Sequence, residues 1–221
     1  MSGQKFPSPD QKEQTHHGGY FFPPKRYLTT LSDLYPSVAA HWHEEAELTR
    51  VTKGRCTYQI QFETYEAEEG DILFVPPAAL HSISISPGEL FESETYVFHM
   101  NFLGAGSTDI CTVRYFTPLL KQELHLPELI EKDHPAYGRL LQVFREMDPA
   151  YENMEPGYEM IMKSLLLQAI AILLPYGTEE DSRPHLQEEH WFKLRMVVEY
   201  IGEHYAEDLT IPQLAKLCYF S

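Results

Sequence analysis

Alternating apolar and polar positions dominate the first half of the chain. In residues 55–62, Tyr58, Ile60 and Phe62 fall on one face and Thr57, Gln59 and Gln61 on the other, the period-two pattern of a half-buried antiparallel strand. Tyr96, Phe98, Met100 and Phe102 against Val97, His99 and Asn101 repeat it. Turn signals at Gly54, Gly70-Asp71, Pro76-Pro77 and Pro87-Gly88 separate the short runs at intervals suited to a sandwich or barrel. No helix-length period interrupts residues 27–102, which argues against a parallel βαβ sheet.

The period then changes. Residues 103–134 carry no clear pattern, and Pro118, Pro127 and Pro135 keep any helix there short. Tyr137, Leu140, Leu141, Phe144 and Met147 lie at helical spacing, as do Tyr158, Ile161, Leu165, Ile170, Leu173 and Leu174. Glu155-Pro156-Gly157 separates the two runs and predicts an antiparallel pair. The second helix is apolar around much of its circumference at Leu165-Leu166-Leu167, so its stripe serves the core, a contact between two copies, or both.

The ends read differently. Residues 1–19 are polar and predict a flexible arm. Its adjacent His16 and His17 point to opposite faces of an extended chain, a poor metal pair. Tyr20, Phe21 and Phe22 predict that the end of the arm docks on apolar surface, with a plain edge strand as the favoured form. After the helix pair, an acidic, proline-closed stretch predicts a linker. Trp191, Leu194, Val197, Val198, Ile201 and Tyr205 then predict an amphipathic helix. Thr210-Ile211-Pro212-Gln213 is a capping box that opens another. The expected units are an arm at 1–19, a β domain at 20–134, the helix pair at 135–175, a linker at 176–189 and a helical segment at 190–221.

Composition narrows the classes. A length of 221 residues allows about one or two domains, and 43% hydrophobic residues supply a sizeable core. The net charge of -16, from 33 acidic and 17 basic residues, repels phosphate backbones, so any contact with nucleic acid has to come from elsewhere. Cys56, Cys111 and Cys218 are odd in number and far apart, which argues against a disulfide frame and for small core residues in a reducing compartment. Residues 1–20 lack the apolar core of a signal peptide. The most apolar run, residues 165–174, is shorter than the roughly 20 residues that span a bilayer. A soluble, cytoplasmic protein without membrane contact is expected.

Chemistry concentrates in two stretches. If residues 39–51 are extended, His41, His43 and Glu47 project from one face, and His81 follows the Gly70-to-Pro77 stretch as a fourth member. Neutral imidazoles with one carboxylate suit zinc, nickel, iron or manganese, or hydrogen-bond a polar ligand. The chain has no Gly-rich phosphate loop, nucleophile elbow or dinucleotide fingerprint.

His41-x-His43-x-x-x-Glu47 followed by Gly54 resembles the first cupin motif, and Gly70 through Pro76 to His81 resembles the second. Tyr35 stands where the first motif begins with glycine. Ala78 and Ile85 replace the usual glycine and asparagine of the second. Residues 41–48 and 70–77 resemble most closely the sensor domain of AraC-type transcription regulators, and residues 197–221 resemble the opening of that family's DNA-binding domain.

The resemblance implies a fold that is mainly β with C-terminal helices. A cupin barrel, a double-stranded β-helix or jelly roll, would be followed by an antiparallel helix pair and the opening of a helix-turn-helix domain. It further implies a ligand-responsive, sequence-specific DNA-binding regulator, homodimeric through the helix pair, with DNA contacted by a C-terminal domain that continues past Ser221. The N-terminal arm can close over the pocket in that family. The effector, a sugar or small organic compound, would sit among His41, His43, Glu47 and His81, with Tyr58, Ile60, Phe74 and His99 added by parity. Those first four are also the metal candidates, although no cofactor is required. The rival is a metal-dependent cupin enzyme, a dioxygenase or isomerase, on the same four residues. The C-terminal stretch favours the non-enzymatic regulator.

Overall fold

A computed structural model describes residues 24–179 and, beyond them, residues 197, 200, 201, 209–211, 213 and 214. Seven strands come first: β1 (Lys25–Leu31), β2 (Ser37–His41), β3 (Ala46–Ile60), β4 (Glu63–Glu68), β5 (Ile72–Val75), β6 (His81–Ser84) and β7 (Phe91–Phe98). The stretch with no clear sequence pattern holds α1 (Met100–Leu103), a π turn (Thr112–Phe116), α2 (Thr117–Leu120), β8 (Leu124–His125) and β9 (Leu129–Ile130). The helix pair α3 (Tyr137–Asn153) and α4 (Tyr158–Leu173) follows, then a 3-10 turn (Leu174–Tyr176) and β10 (Thr178–Glu179). The expected order of mainly antiparallel β followed by paired helices is the one observed.

The long strand β3 joins two sheets. Its first half pairs with β7 and β5, within the order β1-β7-β3-β5-β9, and its second half pairs with β4 and β6, with β2 beyond β6. The crossing point lies at Gly54, where φ is +76° and an added Cβ would stand 1.9 Å from the Leu90 carbonyl oxygen. Only glycine adopts that conformation at so close an approach.

Side-chain parity then builds two apolar layers. Val51, Tyr58, Ile60, Leu73, Val75 and Phe91 pack between the sheets. Leu48, Phe74, Tyr96 and Phe98 point outward against Leu140, Phe144 and Met147 of α3 and Leu165, Leu166 and Ile170 of α4. Strand β5 is buried on both faces, which is why its sequence is unbroken Ile-Leu-Phe-Val.

A charged clamp holds α3 to the outer face. Arg50 Nη2 donates to Glu94 (2.6 Å) and to Asp148 (3.1 Å). Arg26 Nη1 donates to Glu94 (3.3 Å) and Glu152 (3.1 Å), and the Tyr96 hydroxyl donates to Asp148 at 2.9 Å. Burial raises the Glu94 carboxyl, Asp148 adds to that, and the two arginines oppose both.

Several expectations need correction. The apolar helix is longer than its apolar run suggests: Tyr158–Tyr176 spans 19 residues with mean hydropathy 1.4, enough by length and composition to cross a membrane. Its apolar character has a plain use, because Met162, Leu165, Leu166, Ala169, Ile170, Ile172 and Leu173 are all core. Phe62 is exposed because β3 ends at Ile60 and the chain turns at Gln61 (φ 52°). Strand β7 ends at Phe98, so the alternation read through Phe102 stops there. Cys56 is buried and its thiol is pushed up to about 12, first by burial and then by Glu66 and Asp71, whereas Cys111 is exposed rather than core.

The arm, Tyr20 to Phe22, Trp191, Leu194 and Cys218 lie outside the described residues, as does the linker beyond Glu179. In the tail, the backbone N–H and hydroxyl of Thr210 both donate to Gln213 Oε1 at 2.8 Å, the return half of the predicted capping box.

Candidate functional site

The two sequence motifs meet where β2 and β6 pair. His41 is the register partner of His81, and their rings lie 4.2 Å apart. The extended run expected over residues 39–51 is broken: β2 ends at His41 and β3 begins at Ala46. The intervening loop buries Trp42 and carries His43. The loop is tied to the one preceding β6 by the Ala78 N–H, which donates to the His43 carbonyl at 2.8 Å. Glu47, the second residue of β3, turns inward, and its carboxylate lies 3.0 Å from His43 Nε2 and 3.6 Å from His81 Nε2. The Tyr58 hydroxyl donates to its other oxygen at 3.3 Å.

Ala78 occupies the left-handed region (φ 60°) at the place where the second cupin motif usually has glycine. A left-handed alanine costs on the order of 1 kcal/mol. Ala78→Gly is therefore expected to raise stability by about 0.5–1 kcal/mol, read as the urea midpoint. A lower midpoint would mean that the loop carries no strain.

Hydrogen bonds to backbone carbonyls set the tautomers. A carbonyl only accepts, so the contacts of His41 Nδ1 with Ala39 O and of His81 Nδ1 with Ala79 O, both 2.9 Å, place the proton on Nδ1. In the neutral rings Nε2 then carries the lone pair. His43 Nδ1 lies 3.2 Å from Glu45 O while its Nε2 faces Glu47. A neutral ring donates only once, so the second contact calls for another proton or a cation. One ring nitrogen from each of His41, His43 and His81 falls within 4.8 Å of the others. This donor set, with backbone acceptors holding the far nitrogens, fits a divalent metal.

Burial, followed by the neighbouring His81, pulls His41 down to about 4, so it is neutral at neutral pH. For Glu47, burial acts upward, but the imidazoles of His81 and His43 outweigh it and hold the carboxyl well below the usual range. Burial and then Glu47 push Tyr58 well up, leaving it a neutral donor.

The His41 value of about 4 lies below its ordinary 6.5, so between those values the unfolded chain binds the proton more readily. Stability of the metal-free chain is then complete above pH 6.5 and is lost as pH falls through that window. Glu47 acts in the same sense, with its contribution present above its ordinary 4.5 and lost below it. Urea midpoints between about pH 7 and pH 4.5 are expected to report a loss of roughly 2 kcal/mol from His41, discounted for its partial solvent access. His41→Gln should flatten that part of the profile. An equally steep profile in the variant would refute the assignment.

A cavity of about 140 Å³ opens beside the cluster. Val38, His41, Tyr58, His81 and Ile83 come from the β2/β6 side, and Tyr27, Thr29, Glu47, Thr95 and Val97 from the β1/β7 side. Of the residues singled out in the sequence, His41, Glu47, Tyr58 and His81 line it, and His43 stands behind Glu47. Ile60 packs in the inner core and Phe74 on the helix-facing side of the sheet. His99 caps α1, its Nδ1 accepting from the Asn101 N–H at 3.1 Å. Tyr27, Thr29 and Thr95 were missed. Their one sequence signal is that Tyr27 and Thr29 share the parity of Leu31, which is buried between the sheets.

The sequence profile of the AraC-like ligand binding domain matches residues 26–170. An uncharacterized HTH-type transcriptional regulator, YdeC of Bacillus subtilis (strain 168), is 24% identical over 93% of this chain and 69% of its own length. Among solved structures, a cupin 2 conserved barrel domain protein from Rhodopseudomonas palustris is 13% identical, with a TM-score of 0.32 over 34% of this chain and 52% of that one. A protein from Thermotoga maritima described as a predicted oxalate decarboxylase is 20% identical, with a TM-score of 0.32 over 35% of this chain and 68% of that one. Both structural likenesses are too partial to bear on function. The profile match covers well over half of the residues, and the chain belongs to the AraC-like ligand binding domain family.

Proposed function

We propose that the chain is the sensing portion of a ligand-responsive, sequence-specific DNA-binding transcription regulator, with the small-molecule effector held in the cavity between the sheets. The observation that carries this reading is the shared wall. Strands β1, β3 and β7 present Tyr27, Glu47 and Thr95 to the cavity and, from the opposite face, Arg26, Arg50, Glu94 and Tyr96 to α3. A ligand that favours one arrangement of that wall biases the position of α3, and differential affinity for two states is all that such a switch requires. The name of the Bacillus relative supports the same class.

In this reading α3 and α4 join two copies, the exposed Met160 and Ile161 of α4 lying at the contact, and the protein works in the cytoplasm. Units at 1–19, 20–134, 135–175, 176–189 and 190–221 act as arm, sensor, dimer contact, linker and opening of the helix-turn-helix. DNA is contacted only through that last domain in the full-length protein, because the sensor's acidity opposes phosphate. His41, His43 and His81, with Glu47, would hold a divalent ion such as zinc, nickel, iron or manganese. When bound, the ion supplies a cationic anchor for ligand oxygens.

Fluorescence anisotropy of the full-length protein on DNA from its own upstream region tests the proposal. The expected result is specific binding that shifts at least fivefold with a cavity ligand and loses the shift in Tyr58→Phe or His81→Ala. Turnover of a ligand with oxygen, without DNA binding, would favour the enzyme rival that the histidine cluster also suits.

A further inference from the structure

The charged clamp between the sheet and α3 contains an unused donor. Arg50 grips Glu94 (2.6 Å) and Asp148 (3.1 Å) through Nη2 alone. Its Nε is buried without a hydrogen-bond partner, and the guanidinium lies over Phe144, 5.1 Å from the ring centre. A buried donor left unpaired is costly, and an arginine fork turned onto one carboxylate pairs it. Glu94 offers the second acceptor. Its Oε1 meets only Arg26, at 3.3 Å, and has a lone pair to spare. In the forked position Nε and Nη2 both go to Glu94, and Asp148 keeps only the Tyr96 hydroxyl at 2.9 Å.

What Asp148 holds is a weakened turn. Pro149 stands inside α3 and has no N–H for the Arg145 carbonyl, so the turn from Pro149 to Asn153 is less firmly joined to the helix before it. Beyond the proline, Arg26 reaches Glu152 at 3.1 Å and gives its backbone N–H to the Tyr151 hydroxyl at 3.3 Å. The Glu152 side chain is 60% exposed, and such a pair holds weakly. The connection to α4 is short and bounded by left-handed Met154 (φ 46°) and Gly157 (φ 94°). A shift of the turn therefore carries to the start of α4, where Met154, Met160 and Ile161 are exposed.

The clamp also adjoins the cavity. Thr49 pairs with Thr95, and Arg50 with Glu94, on successive rungs of the β3–β7 ladder. Thr95 lines the cavity with its hydroxyl 2.8 Å from that of Thr49, while the next rung faces α3 because side chains alternate.

We propose that Arg50 is a two-position latch: bridging Glu94 and Asp148 it holds the last turn of α3, forked onto Glu94 it releases that turn, and contact at Thr95 shifts the balance. The proposal rests on the sensor reading above and deepens it by naming its regulation.

Amide hydrogen exchange of the intact chain, read by mass spectrometry, tests it. Lysine keeps the charge but cannot fork, so Arg50→Lys is expected to leave residues 150–154 at least as protected as in the wild type. Asp148→Ala removes the bridge and is expected to speed exchange there by about tenfold, with residues 140–147 unchanged. Pro149→Ala, added to Asp148→Ala, restores the missing N–H and should return most of the protection. The Arg50 Nε–H resonance should move downfield in Asp148→Ala as that donor becomes paired. Thr95→Val should alter protection of residues 150–154, and should no longer do so once Arg50→Lys is present. Unchanged exchange in β3 and β7 confirms that each variant is folded.

The latch is overturned if Arg50→Lys and Asp148→Ala loosen the turn alike, as a plain stabilising ion pair predicts. It is also overturned if exchange rises along the whole of α3, or if Thr95→Val acts equally with and without Arg50→Lys. Any of these leaves the sensor reading standing where the full-length protein's DNA affinity shifts with a cavity ligand. A latch that behaves as expected in a protein whose DNA affinity no compound shifts would instead remove the sensor reading and keep the latch.

Discussion

Zinc or nickel titrated into the purified chain is expected to bind at one equivalent, and His81→Ala to weaken that binding a hundredfold or more. His81 is 2% exposed and lies within contact of both other rings, 4.2 Å from His41 and 5.1 Å from His43. Its Nδ1 is held by Ala79 O, so the ring enters the site already oriented. Loss of a residue that merely orients a ligand costs about 10- to 100-fold in metal affinity, and removing one of three imidazole donors exceeds that. His134→Ala is the control, since that ring meets Tyr176 edge-on, outside the histidine cluster. Affinity should also fall in acid, because protons compete for the same lone pairs. Calorimetry with elemental analysis of the bound fraction reads the result. Equal affinity in His81→Ala and wild type would show that the ion sits elsewhere.

Gly54→Ala is expected to cost roughly 3 kcal/mol or more, the largest effect of an added methyl group among the described glycines. The added Cβ would meet the Leu90 carbonyl oxygen at 1.9 Å and its carbon at 3.0 Å, both backbone atoms, while φ is held at +76°. The conformation alone costs about 1 kcal/mol. The overlap adds more, because relieving it requires moving the β3–β7 pairing that places Glu47 on one wall of the cavity and Tyr58 on the other. Against a total stability of about 5–15 kcal/mol, the melting temperature should drop by about 10 °C. Gly88→Ala separates the two causes. Its φ of +82° is similar, but its Cβ would meet nothing within 4 Å, so only the conformational cost of about 1 kcal/mol is expected. Equal losses in the two variants would refute the steric argument.

The residue types of the candidate site were legible because metal and polar-ligand chemistry admits few side chains. His41, His43, Glu47 and His81 stand out wherever the strands fall. The alternation at Tyr58 and Ile60, the helical spacing around Phe144 and Leu165, and the capping pair Thr210 and Gln213 were legible for a related reason. Each is a local pattern whose period or hydrogen bond is complete within a few residues.

Phe74 and His99 mark the limit of such patterns. Strand β5 is apolar on both faces, so nothing in Ile-Leu-Phe-Val distinguishes the side facing the cavity from the side facing α3. Packing against Phe144 and Leu166 placed Phe74 with the helices. His99 continues the alternation on paper, but the strand ends one residue earlier and its imidazole caps a helix. Tyr27, Thr29 and Thr95 became cavity walls through the antiparallel register of β1 on β7, where Tyr27 pairs with Thr95 and Thr29 with Ser93. Residues 68 positions apart meet there, and hydroxyls carry no periodic signal that would announce it. Local chemistry thus specified which groups could act, and the pairing of distant strands specified which of them share a cavity, because burial on two faces erases the polar alternation from which orientation is read.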